Sequence, residues 1–188
     1  MAQKYWHFNA DYHNNLKQWH ESLYSHKGDR AALKRCTKPD DVILSAGFRS
    51  IYQKLFGFKQ ATDNQLIALA CVAGVLAHVK EHDEKAPTFA SQMAMAKPGT
   101  DKPRVSEMRL NQLLRSYSWD EFYRGLIRMV RMLDDKLDVI SLAEAVFHWG
   151  KEFNGEFAKQ PTKRLQVKWA TEYYKVLFKD NSKPNSKD

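Results

Sequence analysis

Cysteine is scarce in this chain: Cys36 and Cys71 are the only two among 188 residues, and neither belongs to a Cys-x-x-Cys pair. Two isolated thiols fit a reducing compartment better than a disulfide framework. Long apolar runs are missing as well. The most apolar segment, Gln65 to Val79 (QLIALACVAGVLAHV), is 15 residues long, short of the ~20 needed to cross a bilayer, and reads as a buried helix. The opening MAQKYWHFNA has no apolar stretch followed by a small-residue cleavage site. A soluble, cytoplasmic protein without a membrane partner is expected.

The motifs of catalysis are missing too. No G-x-x-x-x-G-K-[ST] or G-x-G-x-x-G loop is present to cradle a nucleotide phosphate, and no G-x-S-x-G marks a nucleophile. The best metal candidate is His78 with His82, at i and i+4 beside Glu81 and Asp83. A catalytic zinc site needs a third ligand and a positioned base, and HVKEH has valine where HExxH has glutamate. A polar helix end explains the pair better than a metal-dependent enzyme does. His7, His13 and His20 read as packing or surface residues, and Asp40/Asp41 and Asp134/Asp135 as turn formers. No catalytic residue, metal ligand or cofactor is assigned.

Strand-like alternation is almost absent, and helical periodicity runs nearly throughout. Tyr12, Leu16, Trp19 and Leu23 share one face of a helix over 9–26. Gly28 breaks it, and Asp29 caps a short helix, Arg30 to Arg35. Pro39 opens a turn into a helix over 41–56, and Thr62 or Asp63 caps the apolar helix 64–80. A short helix fits Thr88 to Ala96. Helix 105–117 buries Leu110, Leu113, Leu114 and Tyr117, and another runs over 119–134. The spacing of Ser141 and Glu144 suggests a capping box for a helix whose stripe continues through Val146 and Phe153 to Phe157. A last helix runs from Arg164 to Phe178. The expectation is an all-α fold of two packed helical bundles with about eight or nine helices. An N-terminal lobe takes 1–86, a Pro/Gly-punctuated connecting segment 87–103, a C-terminal lobe 104–180 and a disordered tail 181–188.

What the chain does have is basic charge. Lys and Arg number 30 against 22 Asp and Glu, a formal +8, which biases it toward phosphate-bearing partners or an anionic protein surface. Arg104 to Leu133 alone carries six arginines and three carboxylates. Arg124, Arg128 and Arg131 fall at i, i+4 and i+7, opposite an apolar stripe of Phe122, Leu126, Met129, Val130 and Leu133. Arg109 and Arg115 precede them. Lys34 and Arg35, with Arg30 and Lys38 a turn to either side, form a second cluster. Lys151, Lys163, Arg164 and Lys168 form a third. Arginine's planar fork holds phosphate oxygens bidentately and stacks on bases. Local pairing tempers this, since Arg124 is in reach of Asp120 and Arg131 of Asp134 or Asp135. Nucleic-acid binding and a solvated or protein-docking face both remain open from charge alone.

The ordered elements VSEMRLNQLLRS (Val105 to Ser116), GLIRMVRMLDDKLDVISLAEAVFHWGK (Gly125 to Lys151) and the Arg30 to Pro39 segment resemble the CasB family, the small subunit of the type I-E CRISPR surveillance complex Cascade. The resemblance covers roughly 15–178. His148-Trp149 departs slightly from the family's aromatic-Trp pair, and Glu152 stands where relatives have a second basic residue. The longer N-terminus, YWHFNADYHNN, has no role that the family settles. The resemblance implies an all-α, non-catalytic protein of antiviral defence, two copies of which pack head to tail against the Cascade backbone and large subunits. It implies basic surfaces that hold nucleic acid and stabilise the R-loop, above all the displaced non-target DNA strand, with crRNA a further partner. Carried over residue by residue, the nucleic-acid contacts fall on Lys34, Arg35, Arg109, Arg115, Arg128, Arg131 and Lys151, and Arg124 joins them on geometry alone. The alternative is a purely structural assembly subunit docking on protein partners or crRNA.

Overall fold

Helix α5 (Asp63–Leu76) is apolar on every side, and every residue from Ala68 to Leu76 is buried, as a helix without a polar face must be. Thr62 starts it with a complete capping box, its hydroxyl accepting from Gln65 N while the Gln65 side chain accepts from Thr62 N. The other elements gather round it. The computed structural model describes residues 10–57, 60–133 and 136–181. In chain order these hold α1 (Ala10–Ser25), α2 (Lys27–Arg35), α3 (Pro39–Ile43), α4 (Ala46–Phe56), α5, β1 (Glu81–His82), α6 (Phe89–Ala94), α7 (Glu107–Leu114), α8 (Trp119–Met132), β2 (Lys136–Leu137), α9 (Val139–Phe153) and α10 (Leu165–Asn181). A single 3-10 turn, Pro161–Lys163, precedes α10. The fold is mainly all-α, with ten α-helices among the described residues where eight or nine are expected.

Helices α2, α3, α4, α8 and α9 all pack on α5, and the buried side chains form one cluster running from Leu16 to Tyr173. Glycines permit the closest approaches. A Cβ at Gly74 would lie 2.3 Å from the hydroxyl of Tyr123, and one at Gly47 would lie 2.7 Å from Leu33. Segment 87–103 holds α6, which α10 covers: the Phe89 and Trp169 rings are 5.4 Å apart. Tyr173 Oη donates to Val105 O at 2.7 Å nearby.

Several local expectations change, each for a physical reason. The helix over 41–56 is two helices, because Ser45 leaves the helical conformation and its hydroxyl accepts from Phe48 N at 3.1 Å. Gly28 lies inside α2 rather than breaking the chain. α9 begins at Val139, where Asp138 Oδ1 accepts from Ile140 N and His82 Nδ1 accepts from Val139 N. Ser141 therefore sits inside the helix and caps nothing. α9 ends at Phe153, and Gly155, at φ 85°, turns the chain away, which leaves Phe157 exposed. Tyr117 is not buried but 81% exposed, since α7 stops at Leu114. The two-residue parallel pair β1–β2, matching Glu81 to Lys136 and His82 to Leu137, is too short to leave any alternation in the sequence. The expected N-terminal segment up to residue 9, the turn at Asp134-Asp135 and the tail from 182 onward lie outside the described residues.

The carbonyl end of α5 has a built closure. Arg30 donates through Nε to Ala77 O at 3.0 Å and through Nη2 to Val79 O at 2.9 Å. His20 Nε2 lies 3.2 Å from the same Val79 oxygen. Burial is the main cause that pushes the His20 pKa down to about 4, with Arg30 and His82 adding to it against the bond to Val79. The folded pKa thus lies below the unfolded value. As pH falls the unfolded chain takes up this proton first, so stability is full above about pH 6.5 and declines from there toward about 4. The expected loss from His20 alone is about 2 kcal/mol at pH 5. Urea unfolding of the wild type and of His20→Gln at pH 7.5 and pH 5 checks it. The variant should lose much less stability on acidification, and an equal decline in both would place the pH dependence elsewhere.

Candidate nucleic-acid interface

Six residues of α8 are buried, Phe122, Tyr123, Leu126, Ile127, Met129 and Val130. Arg124, Arg128 and Arg131 are all exposed. At 3.6 residues per turn the three arginines fall within an arc of about 60°, opposite the packed side. Ser118 caps the helix by accepting from Glu121 N at 3.2 Å. The Asp120 pairing expected for Arg124 does not form: among the described residues no ion pair joins them. The carboxylates expected near Arg131, Asp134 and Asp135, lie outside the described residues.

Helix α7 packs on α8 because Gly125 presents no side chain. A Cβ there would stand 2.7 Å from Leu113. The approach leaves a groove of about 410 Å³ whose walls carry Arg109 from α7 and Arg124 and Arg128 from α8. Arg109 Nη1 points across it to Met132 Sδ at 3.4 Å. Gln112 and Ser116 add uncharged polar groups, and Glu121 adds one carboxylate. A wider hollow of about 810 Å³ adjoins it, sharing Gln112 and Glu121, and holds Arg115.

Lys34 and Arg35 are exposed at the end of α2. That end is tied to α8, since Tyr123 Oη donates to Cys36 O at 3.3 Å. Lys34 and Arg131 also act on one group. His78 is pushed down to about 4 first by burial and then by the charges of Arg131, Lys34 and Arg30. Charges carried by α2 and by α8 therefore act on the same imidazole. Arg30 itself is committed to the end of α5.

The sequence matches the family described as CRISPR-associated protein Cse2 (CRISPR_cse2) over residues 29–174, most of the chain. The chain belongs to the Cse2 family. Neither a curated protein nor a solved structure matches it. Cse2 proteins are structural subunits of the CRISPR Cascade complex, and the matched span includes every candidate cation from Lys34 to Lys151.

In this Cse2-family chain Lys151 stands apart from the others. It is half-buried on α9 and lines neither hollow. Its charge and that of Lys168 act on His148, whose pKa is lowered chiefly by burial. Glu152, unexpectedly acidic beside it, is needed by the fold: 9% exposed, it accepts from Leu165 N at 2.9 Å at the start of α10. Its partner His148 lies 3.2 Å away.

His78 and His82 do not share a helix, because α5 ends at Leu76 and His82 lies in β1. Among the described residues no group of three or more His, Cys, Asp or Glu side chains could hold a metal ion. Cys36 and Cys71 are free thiols, and burial raises the pKa of Cys71 well above its ordinary value. No helix among the described residues is long and apolar enough to cross a membrane. Charge-based reading passes over the groove's neutral members, although Gln112, three residues after Arg109, had the helical spacing to reveal it.

Proposed function

We propose that this Cascade subunit holds the displaced non-target DNA strand on the surface formed by the α7–α8 groove and the adjoining ends of α2 and α8. The observation that carries the reading is the groove itself, with arginines on both walls and a rigid apolar side behind them. Arg109, Arg124 and Arg128 bind phosphates there, with Arg131, Lys34 and Arg35 extending the track and Arg115 beginning its other end. Lys151 on α9 and Lys168 on α10, whose charges both act on His148, lie outside this track.

The action is electrostatic. When guide RNA pairs with one DNA strand, the other is set free and competes to re-anneal. Neutralising its phosphates lowers the free energy of the open state. Phosphate contacts position a strand without reading its sequence, so the subunit accepts any displaced strand. It performs no chemistry and uses no cofactor. A second copy beside it would lengthen the track, with the backbone and large subunits carrying the assembly and crRNA within reach, all in the cytoplasm.

Single-strand-specific chemical footprinting of target DNA in the assembled complex tests this. With the wild-type subunit the displaced strand should be protected over part of its length, and Arg109→Ala/Arg124→Ala/Arg128→Ala should expose that part while the guide–target pairing persists. An identical footprint for both would favour a subunit that only docks on its protein partners or on crRNA.

A further inference from the structure

Tyr117 is 81% exposed, an unusual position for a large ring, yet its backbone is firmly held. Tyr117 N donates to Glu121 Oε2 at 3.0 Å. Ser116 Oγ on one side donates to Leu113 O at 2.7 Å, and Ser118 on the other caps α8. The ring therefore stands in solvent on a turn fixed at both ends. It borders the 810 Å³ hollow together with Arg115, Asn111, Gln112 and Met108, and Met108 is 76% exposed. Two carboxylates, Glu107 and Glu121, also lie there. Glu121 is occupied by Tyr117 N, and Glu107 by the hydroxyl of Tyr174.

We infer that Tyr117 is a stacking platform for an unpaired nucleobase, with Arg115 holding the neighbouring phosphate. This rests on the nucleic-acid reading above and deepens it. Single-strand binders combine a basic channel with aromatic rings on which bases stack, and stacking tolerates any sequence because every base has a π-face. Both parts are present: the hollow shares Gln112 and Glu121 with the arginine-walled groove, so a strand leaving the groove passes the ring. The amides of Asn111 and Gln112 offer donors and acceptors to a base edge. A pre-fixed turn loses little freedom on binding. Bases inside a duplex keep their faces covered, so the platform makes the surface choose single strands. A protein partner would fit the tyrosine and methionine equally well, but the neighbouring arginines favour a polyanion.

The test uses the full chain and two fluorescent 20-nucleotide probes of equal charge, oligo(dT) and an abasic deoxyribose-phosphate strand. Wild-type protein should prefer oligo(dT). Tyr117→Ala should weaken oligo(dT) binding about tenfold and leave the abasic probe unchanged, while Tyr117→Phe should bind both as wild type does. Arg128→Ala should weaken both probes alike. If Tyr117→Ala binds oligo(dT) as the wild type does, or weakens both probes equally, stacking is overturned while the effect of Arg128→Ala still supports the groove. If the wild type binds neither probe, the stacking proposal and the reading beneath it both fall.

Discussion

Replacing Arg109, Arg124 and Arg128 together with alanine should lower the affinity for single-stranded DNA about a hundredfold at 0.1 M salt. The magnitude follows from counterion release, in which each single-strand phosphate contact contributes roughly 0.7 to the logarithmic salt slope. Removing three such phosphate partners makes the slope shallower by about two, so over one decade of salt, from 1 M down to 0.1 M, the two proteins diverge by about two decades in affinity. The difference should therefore shrink as salt rises and nearly vanish near 1 M. All three side chains are exposed, and the helices that carry them, α7 for Arg109 and α8 for Arg124 and Arg128, are each held by their other face. Thermal stability should consequently stay close to wild type, within about 0.5 kcal/mol. Fluorescence anisotropy at several salt concentrations, with a melting curve on the same preparations, reads both outcomes. A hundredfold loss accompanied by a collapse of the melting curve would mean misfolding rather than the removal of phosphate partners.

Tyr123→Ala should have the largest effect on stability, a loss of about 3–5 kcal/mol, or roughly 10 °C in melting temperature for a chain of this size. Tyr123 has no exposed surface and stands where α5, α8 and the end of α2 meet. Its ring fills the space above Gly74, and its hydroxyl binds the carbonyl of Cys36. Burial raises its pKa well above the ordinary tyrosine value, so it stays neutral and donates. Tyr123→Phe keeps the ring and loses one hydrogen bond, costing about 1 kcal/mol. Gly74→Ala attacks the same junction from the other side, because the new methyl group meets three atoms of a ring with nowhere to go. Overpacking of that kind costs about 1–3 kcal/mol. Denaturant unfolding followed by circular dichroism ranks the three. A Tyr123→Ala variant within about 1 kcal/mol of wild type would show that this junction does not hold α8 in place.

Much of the helical architecture is readable in the sequence, for reasons visible at particular residues. The stripe of Tyr12, Leu16, Trp19 and Leu23, the cap at Thr62 and the opposed faces of α8 are local patterns at 3.6-residue spacing. The features that escape it are decided by distant residues. α9 starts at Val139 because His82, far away in sequence, accepts its first free N–H. The break between α3 and α4 depends on Ser45 and on Gly47 fitting against Leu33. Tyr117 has the spacing of a last member of a buried stripe, and only the early end of α7 turns it outward.

The candidate site divides the same way. Exposure of the three α8 arginines follows from their own helix, whereas their meeting with Arg109 depends on Gly125 letting Leu113 close in. The charges that Lys34 and Arg131 jointly exert on His78 depend on α2 and α8 flanking the end of α5, which no local pattern encodes. Lys151 and Lys168 already group in the sequence as part of a third cluster, and in the structure the charges of both act on His148, while Lys151 lines neither hollow.

The claim that this surface holds a strand by its phosphates is tested most directly by the salt dependence of single-stranded DNA binding to the isolated wild-type protein and the triple arginine variant. If the wild type engages about five phosphates, a plot of log K against log salt should fall with a slope of about −3.5, and the variant should be shallower by about two. A wild-type slope near zero, or parallel lines for the two proteins, would contradict it.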